Sequence, residues 1–219
     1  MENVVEIKNM NKSFKGNKVL NDINISIEKG SVCGFVGLNG SGKTLLMKVI
    51  AGFLKPDCGT VLVQGKEIGK EVDFPEDIGV IIETPSFMPY ISGYKNLYNL
   101  YSIKGVPDKV KIRETMQLVG LNPDDKKWVS KYSLGMRQRL GIAQAIMEEQ
   151  SLLVLDEPMN GLDKKGVEEM RTLFVRLKEA GRTIVIASHN QADIDYLCDK
   201  VYELDNGNVI DVRCLKDFE

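Results

Sequence analysis

Residues 37–44 read Gly37-Leu38-Asn39-Gly40-Ser41-Gly42-Lys43-Thr44 and match the phosphate-binding pattern G-x-x-x-x-G-K-[ST] at every fixed position. The glycines let the backbone curl so that successive N–H groups point inward, and a helix that begins near Gly42 adds the positive end of its dipole. We expect Lys43 to reach the β- and γ-phosphates of a nucleotide and the Thr44 hydroxyl to hold Mg²⁺. The candidate nucleotide-binding residues are therefore Asn39, Gly40, Ser41, Gly42, Lys43, Thr44 and Leu45.

The sequence on both sides of this loop supports the interpretation. Residues 31–36 are typical of a buried strand, and residues 43–51 are typical of a helix. A chance glycine-rich turn would need neither a strand before it nor a helix after it. A strand, a glycine-rich loop and a helix in this order predict a phosphate-binding loop.

The composition limits the class of protein. The chain has 219 residues, 43% of them hydrophobic, enough for one domain with a core and an inserted subdomain. Its four cysteines include no C-x-x-C pair, so neither a zinc site nor a disulfide framework is suggested. No apolar run approaches the roughly 18 residues that a membrane span needs, and we expect a cytosolic chain. A formal net charge of −2 gives no reason to expect a nucleic-acid partner.

The pattern of the chain predicts an α/β fold. Short strand-like runs separated by turns fill residues 4–30 and indicate an antiparallel sheet, whereas residues 84–148 have helical spacing. We predict a P-loop NTPase (RecA-like) core with an N-terminal antiparallel β subdomain and an inserted α-helical subdomain. The single domain covers residues 1–219, and its predicted parts are residues 1–83, 84–148 and 149–219.

Two groups of aromatic residues each allow two interpretations. Phe14 lies in the first turn region with Val19 beside it, and it either stacks on a purine base or belongs to the core of the small sheet. A second group shares one face at helical spacing: Tyr90, Tyr94, Leu97, Tyr98 and Tyr101. These residues form either the core of the helical part or an aromatic-lined groove for a partner's short helix.

A second anion site is predicted where residues 132–140 begin a helix. Ser133 is well placed as the N-cap, and Gly135 would permit another backbone to approach closely. N–H groups at a helix start bind anions, but the phosphate loop of the same chain does not need them. The site therefore suits a nucleotide held by another subunit. An ordinary capped helix would explain Ser133 but not Gly135.

Two further buried strands end in polar residues. Asp156 and Glu157 follow residues 151–155; Asp156 can hold Mg²⁺ through water, and Glu157 can polarise an attacking water. His189 follows residues 183–187 and can donate a hydrogen bond to a γ-phosphate. A solvated acidic turn and a structural histidine are the alternatives. The phosphate loop favours the functional interpretation of the acidic pair.

We interpret the last twenty residues as a structural part of the fold. Asn206-Gly207 predicts a type I′ turn between two strands, and the pattern indicates no functional role for this hairpin.

Over nearly its whole length the sequence resembles the nucleotide-binding subunit of ATP-binding-cassette (ABC) transporters, with the motifs in that family's order. The resemblance implies that Phe14 stacks on the base and that Asp156 is the Walker B aspartate. It implies that Glu157 is the catalytic base and His189 the switch histidine. It also implies that two subunits pair head to tail, so that residues of one bind the nucleotide on the loop of the other. Those residues are Ser133, Gly135, Met136 and Asp163.

Three motifs depart from the usual pattern of that family. Leu45 replaces a common second threonine, and the signature motif reads Tyr132-Ser133-Leu134-Gly135-Met136 in place of L-S-G-G-Q. Glu83 stands where a glutamine usually links the Mg²⁺ site to the membrane subunits, and with Thr44 and Asp156 it makes up the implied metal-site residues. The last two departures resemble the branch that exports bacitracin-type and lantibiotic peptides.

The resemblance implies an ATPase that forms ADP and phosphate, uses ATP and Mg²⁺, and pairs with a second nucleotide-binding subunit, identical or different. It would power transport, most similarly the export of a peptide antibiotic, through separate transmembrane permease subunits at the inner face of the cell membrane. The alternative is a soluble ABC-type ATPase that acts on DNA or the ribosome. Such proteins usually carry a coiled-coil insertion or two cassettes, and neither pattern occurs in this sequence. We therefore expect transport.

Overall fold

The structure, a computed structural model, describes residues 2–215; residue 1 and residues 216–219 of the predicted domain lie outside this range. The described strands are β1 (Asn3–Phe14), β2 (Asn17–Glu28), β3 (Val32–Val36), β4 (Cys58–Val63), β5 (Lys66–Glu67), β6 (Ile78–Ile81), β7 (Leu152–Asp156), β8 (Thr183–Ala187), β9 (Lys200–Asp205) and β10 (Asn208–Cys214). The described α-helices are α1 (Lys43–Ile50), α2 (Gly93–Tyr101), α3 (Lys109–Leu118), α4 (Leu134–Ile146), α5 (Lys164–Glu179) and α6 (Gln191–Leu197).

The strands form two sheets. A four-stranded antiparallel sheet has the order β2-β1-β4-β5, and a six-stranded sheet has the order β10-β9-β3-β8-β7-β6. In the larger sheet β9, β3, β8, β7 and β6 run parallel, and β10 is an antiparallel edge strand. The carboxyl ends of β3, β7 and β8 therefore lie at one edge of this sheet, which brings together the residues that follow them.

Both faces of the larger sheet are covered by apolar packing. Alternate residues of β7 point to opposite sides, so Leu153 and Leu155 pack in a cluster with residues of α4 and α5, whereas Leu152 and Val154 pack with residues of α1 and the antiparallel sheet. All five residues of β7 and all five of β8 are buried. Strands covered on both faces have continuous apolar sequences, which is why both were recognisable.

The helices α2, α3 and α4 occupy the predicted helical region, and the predicted α/β fold class is confirmed. The predicted aromatic face is wrong at one end, because Ser92 caps α2 and Tyr90 precedes the helix. Tyr90 is 71% exposed and packs edge-to-face on Trp128, with ring centroids 5.8 Å apart. Tyr94, Tyr98 and Tyr101 are partly buried against the core.

Two other features of the fold differ from expectation. The first two strands form one long hairpin where shorter strand-like runs were expected, and α6 was not predicted. No helix among residues 2–215 has both the length and the apolar character that a membrane crossing requires.

Candidate functional site

A pocket of about 230 Å³ lies between the start of α1 and the end of β7. Its lining residues are Asn39, Gly40, Gly42, Lys43, Thr44, Leu45, Asp156 and Glu157. The N-cap residue of α1 is Gly42, which has no side chain to accept a hydrogen bond from the first N–H groups of the helix. Those N–H groups are therefore left for a ligand or water. The buried Ser41 Oγ likewise has no partner among the described residues. The fold thus joins the predicted loop and the predicted acidic pair in one site.

The ammonium group of Lys43 is held inside the loop that it belongs to. Lys43 Nζ donates to Gly37 O at 2.7 Å and to Leu38 O at 3.0 Å, and the residue is only 8% exposed. An ammonium has three N–H donors. Lys43 therefore keeps one donor for a phosphate oxygen while both carbonyl contacts stay in place.

Thr44 and Asp156 form the pair that suits a metal ion. Thr44 Oγ1 donates to Asp156 Oδ2 at 2.7 Å, which places two hard oxygen ligands together. Mg²⁺ is usually held by one or two carboxylates together with substrate phosphates and water. No group of three or more His, Cys, Asp or Glu side chains within residues 2–215 is arranged as a complete metal site. The pair thus fits Mg²⁺ bound jointly with a nucleotide.

Glu157 is held in an unusual backbone conformation beside His189. Its φ is +48°, its N–H donates to Ala187 O at 2.9 Å, and Oε2 lies 2.8 Å from His189 Nδ1. The left-handed conformation costs a non-glycine residue about 1–2 kcal/mol, so it persists because neighbouring groups hold it. These contacts join the ends of β7 and β8 and place the Glu157 carboxylate at the edge of the pocket.

Glu83 lies outside this arrangement. It follows β6, is exposed, and pairs with Lys48, whose Nζ is 2.5 Å from Glu83 Oε1. It is not among the residues that line the pocket. Its predicted place near Thr44 and Asp156 therefore stays a prediction. Lys48, which sequence reasoning did not single out, lies one turn after Thr44 on the same face of α1.

Phe14 lies at the tip of the β1–β2 hairpin and is 44% exposed, which argues against the core alternative. Its neighbour Lys12 has Nζ 5.5 Å from the ring centroid and 2.7 Å from Asp57 Oδ1. Lys12 and the Ser13 N–H hold the pKa of the Asp57 carboxyl below its usual range. Neither Phe14 nor the half-buried Val19 lines the pocket, so stacking on a base stays a prediction.

The predicted trans residues lie away from the pocket of their own chain. Ser133 is confirmed as the N-cap of α4, since its Oγ accepts from Met136 N at 3.1 Å, and Asp163 caps α5 by accepting from Gly166 N at 2.9 Å. Gly135 has a reason within its own chain, because a Cβ there would lie 3.0 Å from Gly161 O. Close packing on Gly161 is therefore a reason for Gly135 that the capped-helix alternative did not include. The trans roles of all four residues stay predictions.

The C-terminal hairpin touches the phosphate loop, which the sequence did not indicate. Asn206 and Gly207 have φ values of +45° and +78°, as the predicted type I′ turn requires. Gly207 N donates to Ser41 O at 2.9 Å, and Asn21 N donates to Gly207 O at 2.8 Å. A Cβ on Gly207 would lie 2.3 Å from Val19 O. The hairpin therefore braces the loop from outside.

Together, the parallel sheet and this pocket define a P-loop nucleotide-binding protein. The profile described as ABC transporter matches residues 20–160. The chain is 39% identical over 213 residues to the bacitracin transport ATP-binding protein BcrA of Enterococcus faecalis, covering 96% of this chain and 69% of BcrA. It is 36% identical over 207 residues to the lantibiotic transport ATP-binding protein SrtF of Streptococcus pyogenes, covering 94% of this chain and 89% of SrtF.

The fold also matches solved structures. The dimeric structure of MJ0796, an ABC transporter cassette, has a TM-score of 0.88 at 22% identity and covers 98% of this chain and 100% of that one. The chain belongs to the ABC transporter family. It is an ATP-binding subunit and an ATPase of that family, which confirms the predicted function class. The alternative of a DNA- or ribosome-acting ATPase finds no support in relatives that are transport proteins.

Proposed function

We propose that this chain powers the export of a peptide antibiotic or a similar amphipathic compound, by hydrolysing ATP with Mg²⁺ at the cytoplasmic face of the membrane. Two subunits, identical or different, would bind head to tail and dock on separate permease subunits. The convergence of Lys43, the Thr44–Asp156 pair and Glu157 at one sheet edge carries the proposal. The bacitracin and lantibiotic relatives support the cargo class, and dimeric MJ0796 supports the pairing.

The residues of the pocket divide the reaction between binding and proton transfer. Lys43 and the N–H groups at the start of α1 would bind the phosphates, and Thr44 and Asp156 would hold Mg²⁺. When bound, Mg²⁺ neutralises charge on the β- and γ-phosphates. Glu157 takes the proton of the water whose oxygen attacks the γ-phosphorus, while the bond to the leaving ADP oxygen breaks. His189 fixes the Glu157 carboxylate through the 2.8 Å contact.

The start of α4 is suited to a phosphate on the opposite subunit. Ser133 Oγ accepts from Met136 N, so its own O–H remains free to donate. Ser133 is exposed, as an intersubunit contact requires before the subunits pair. Gly135 and Met136 supply the backbone next to Ser133. Asp163 caps α5, and Gly161, which precedes Asp163, lies close to Gly135.

The test is to isolate the chain from its native membrane and measure its partners and its activity. We expect two permease polypeptides to co-purify, and cells that lack the chain to become more sensitive to a membrane-active peptide antibiotic. Complementation with Glu157→Gln is the matched control, since that chain should assemble but not restore resistance. Recovery of the chain with ribosomes or DNA, and without any membrane polypeptide, would overturn the proposal.

A further inference from the structure

Gln138 is a buried side chain in α4 with no role in the arrangement above. It is 7% exposed, and its Nε2 donates to Pro158 O at 3.0 Å and to Glu157 O at 3.3 Å. A side-chain amide has two N–H donors, so both are used on consecutive carbonyls of the segment that carries Glu157.

The Glu157–Pro158 segment that Gln138 contacts needs support from other parts of the chain. Glu157 has a φ of +48°, a conformation that carries a steric cost for any residue with a Cβ. On one side its N–H is bound to Ala187 O of β8, and on the other its carbonyl accepts from Gln138 and from Asn160 N at 3.1 Å. Gln138 thus supplies the contact from α4 that opposes the contact from β8.

A second contact joins α4 to the same segment. The first turn of the helix packs on Gly161, since a Cβ there would lie 2.5 Å from Leu134 Cδ2. Leu134 is the residue that departs from the glycine usual at this position of the signature motif. Residues 157–163 are therefore attached to α4 at two points, through a polar contact at Gln138 and an apolar contact at Leu134.

We propose that Gln138 is a positioning residue for Glu157: its amide fixes the Glu157–Pro158 backbone and so sets where the carboxylate meets the attacking water. The inference rests on the proposed function, in which Glu157 is the general base. It adds a link between the helix that begins at Ser133 and the catalytic residue of the same chain. Gln138 lies five residues after Ser133, about 7.5 Å along the helix axis.

The first experiment replaces the amide while keeping the side-chain volume. Gln138→Met and Gln138→Leu should lower the kcat of ATP hydrolysis by about tenfold or more, since a misplaced base loses proton transfer, and should leave KM and ATP affinity within about twofold. The matched control is Gln144→Met on the same helix, which should keep the wild-type kcat. Thermal unfolding and ATP-analogue binding identify which variants are folded. Gln138→Asn, which keeps an amide on a shorter side chain, provides a milder variant with an intermediate kcat.

A double-mutant cycle separates this inference from the proposed function. In a Glu157→Gln background, Gln138→Met should not lower the residual rate further, because Gln138 acts through the Glu157 carboxylate. An equal fold-loss in both backgrounds would overturn the inference, as would a folded Gln138→Met variant with the wild-type kcat. Both results leave the proposed function intact. A Glu157→Gln variant with the wild-type rate would instead overturn the proposed role of Glu157.

Discussion

Lys48 Nζ lies 2.5 Å from Glu83 Oε1, so the helix that follows the phosphate loop is ion-paired with the acidic residue after β6. The two side chains are 29% and 65% exposed, and exposed pairs of this kind contribute only about 0–1 kcal/mol to folding. The consequence of the pair is therefore electrostatic. Lys48 compensates the negative charge of Glu83, which occupies a position where the ABC transporter family usually has a neutral glutamine.

Glu83 is predicted to act in coupling to the permease subunits. A carboxylate can accept from a Mg²⁺-bound water as an amide oxygen does, so Glu83→Gln should leave Mg²⁺-dependent hydrolysis within a few-fold of wild type. Glu83→Ala removes the acceptor and should mainly reduce the stimulation that the permease subunits give. ATPase rates with and without those subunits make the comparison. If Glu83→Ala is stimulated as fully as wild type, the partly buried tyrosines of α2 become the better coupling candidates.

Removal of Lys48 should expose the charge of Glu83. At its predicted place, a Glu83 carboxylate left uncompensated by Lys48→Met would attract Mg²⁺, so we expect the Mg²⁺ concentration for half-maximal hydrolysis to fall by about fivefold, a Coulomb effect of roughly 1 kcal/mol. The double variant Lys48→Met/Glu83→Gln should return to the wild-type Mg²⁺ requirement. A titration of rate against Mg²⁺ measures both. A double variant with the same shifted Mg²⁺ requirement as Lys48→Met would show that Lys48 acts without Glu83.

Lys43→Ala should abolish useful ATP binding. A hydrogen bond to a charged group contributes roughly 1.5–3 kcal/mol, so even one lost contact lowers affinity by about tenfold to a hundredfold. The variant also loses the contacts of Nζ with Gly37 O and Leu38 O, which loosens the loop. Calorimetric titration with ATP tests this, with the exposed Lys126→Ala as the control. An affinity for Lys43→Ala within twofold of the control would contradict the assignment.

Glu157→Gln should separate binding from hydrolysis. The amide fills the same space but cannot accept the proton, so turnover should fall by about 10² or more while ATP affinity is kept. The occupied subunits should then persist as an ATP-dependent dimer, detectable by light scattering with Mg²⁺ and ATP. A variant that binds ATP normally and stays monomeric would argue against head-to-tail pairing.

Gly207→Ala tests the brace between the C-terminal hairpin and the phosphate loop. The new Cβ would meet Val19 O at 2.3 Å in a residue with a φ of +78°, so the turn must shift and release Ser41. Gly181→Ala is the matched control, because its φ is +86° with nothing within 4 Å of the new Cβ. Both substitutions share the cost of about 1–2 kcal/mol for the left-handed backbone. Only Gly207→Ala should also lower ATP affinity; equal affinities would contradict the brace.

Local patterns were enough to find the elements that carry the site. The phosphate loop has a fixed spacing, and β7 and β8 are short apolar runs buried on both faces, so each is recognisable within a few residues. The helix α6 was missed because seven residues are too few to show a periodic apolar face. Tyr90 was misplaced because the spacing of side chains does not reveal that Ser92 starts the helix.

The contacts that were missed join distant parts of the chain. Gln138 meets Pro158, and Gly207 meets Ser41, through hydrogen bonds between a polar group and a backbone carbonyl. A carbonyl is present at every residue, so no sequence pattern marks the one that is used. In the sequence, Gln138 is an ordinary helix-forming residue. Only the fold shows that it is buried and bonded to Pro158.

The hairpin at Asn206–Gly207 also sets an order of events during protein synthesis. The loop at residues 37–44 leaves the ribosome early, but β3, which leads into it, pairs with β8 and β9, and its outer brace is Gly207. Pairings between distant segments form late because the intervening chain must first be made. The nascent chain therefore has no finished ATP site until β9 and Gly207 have been made. Cellular ATP can stabilise this fold only after nearly the whole described chain has emerged.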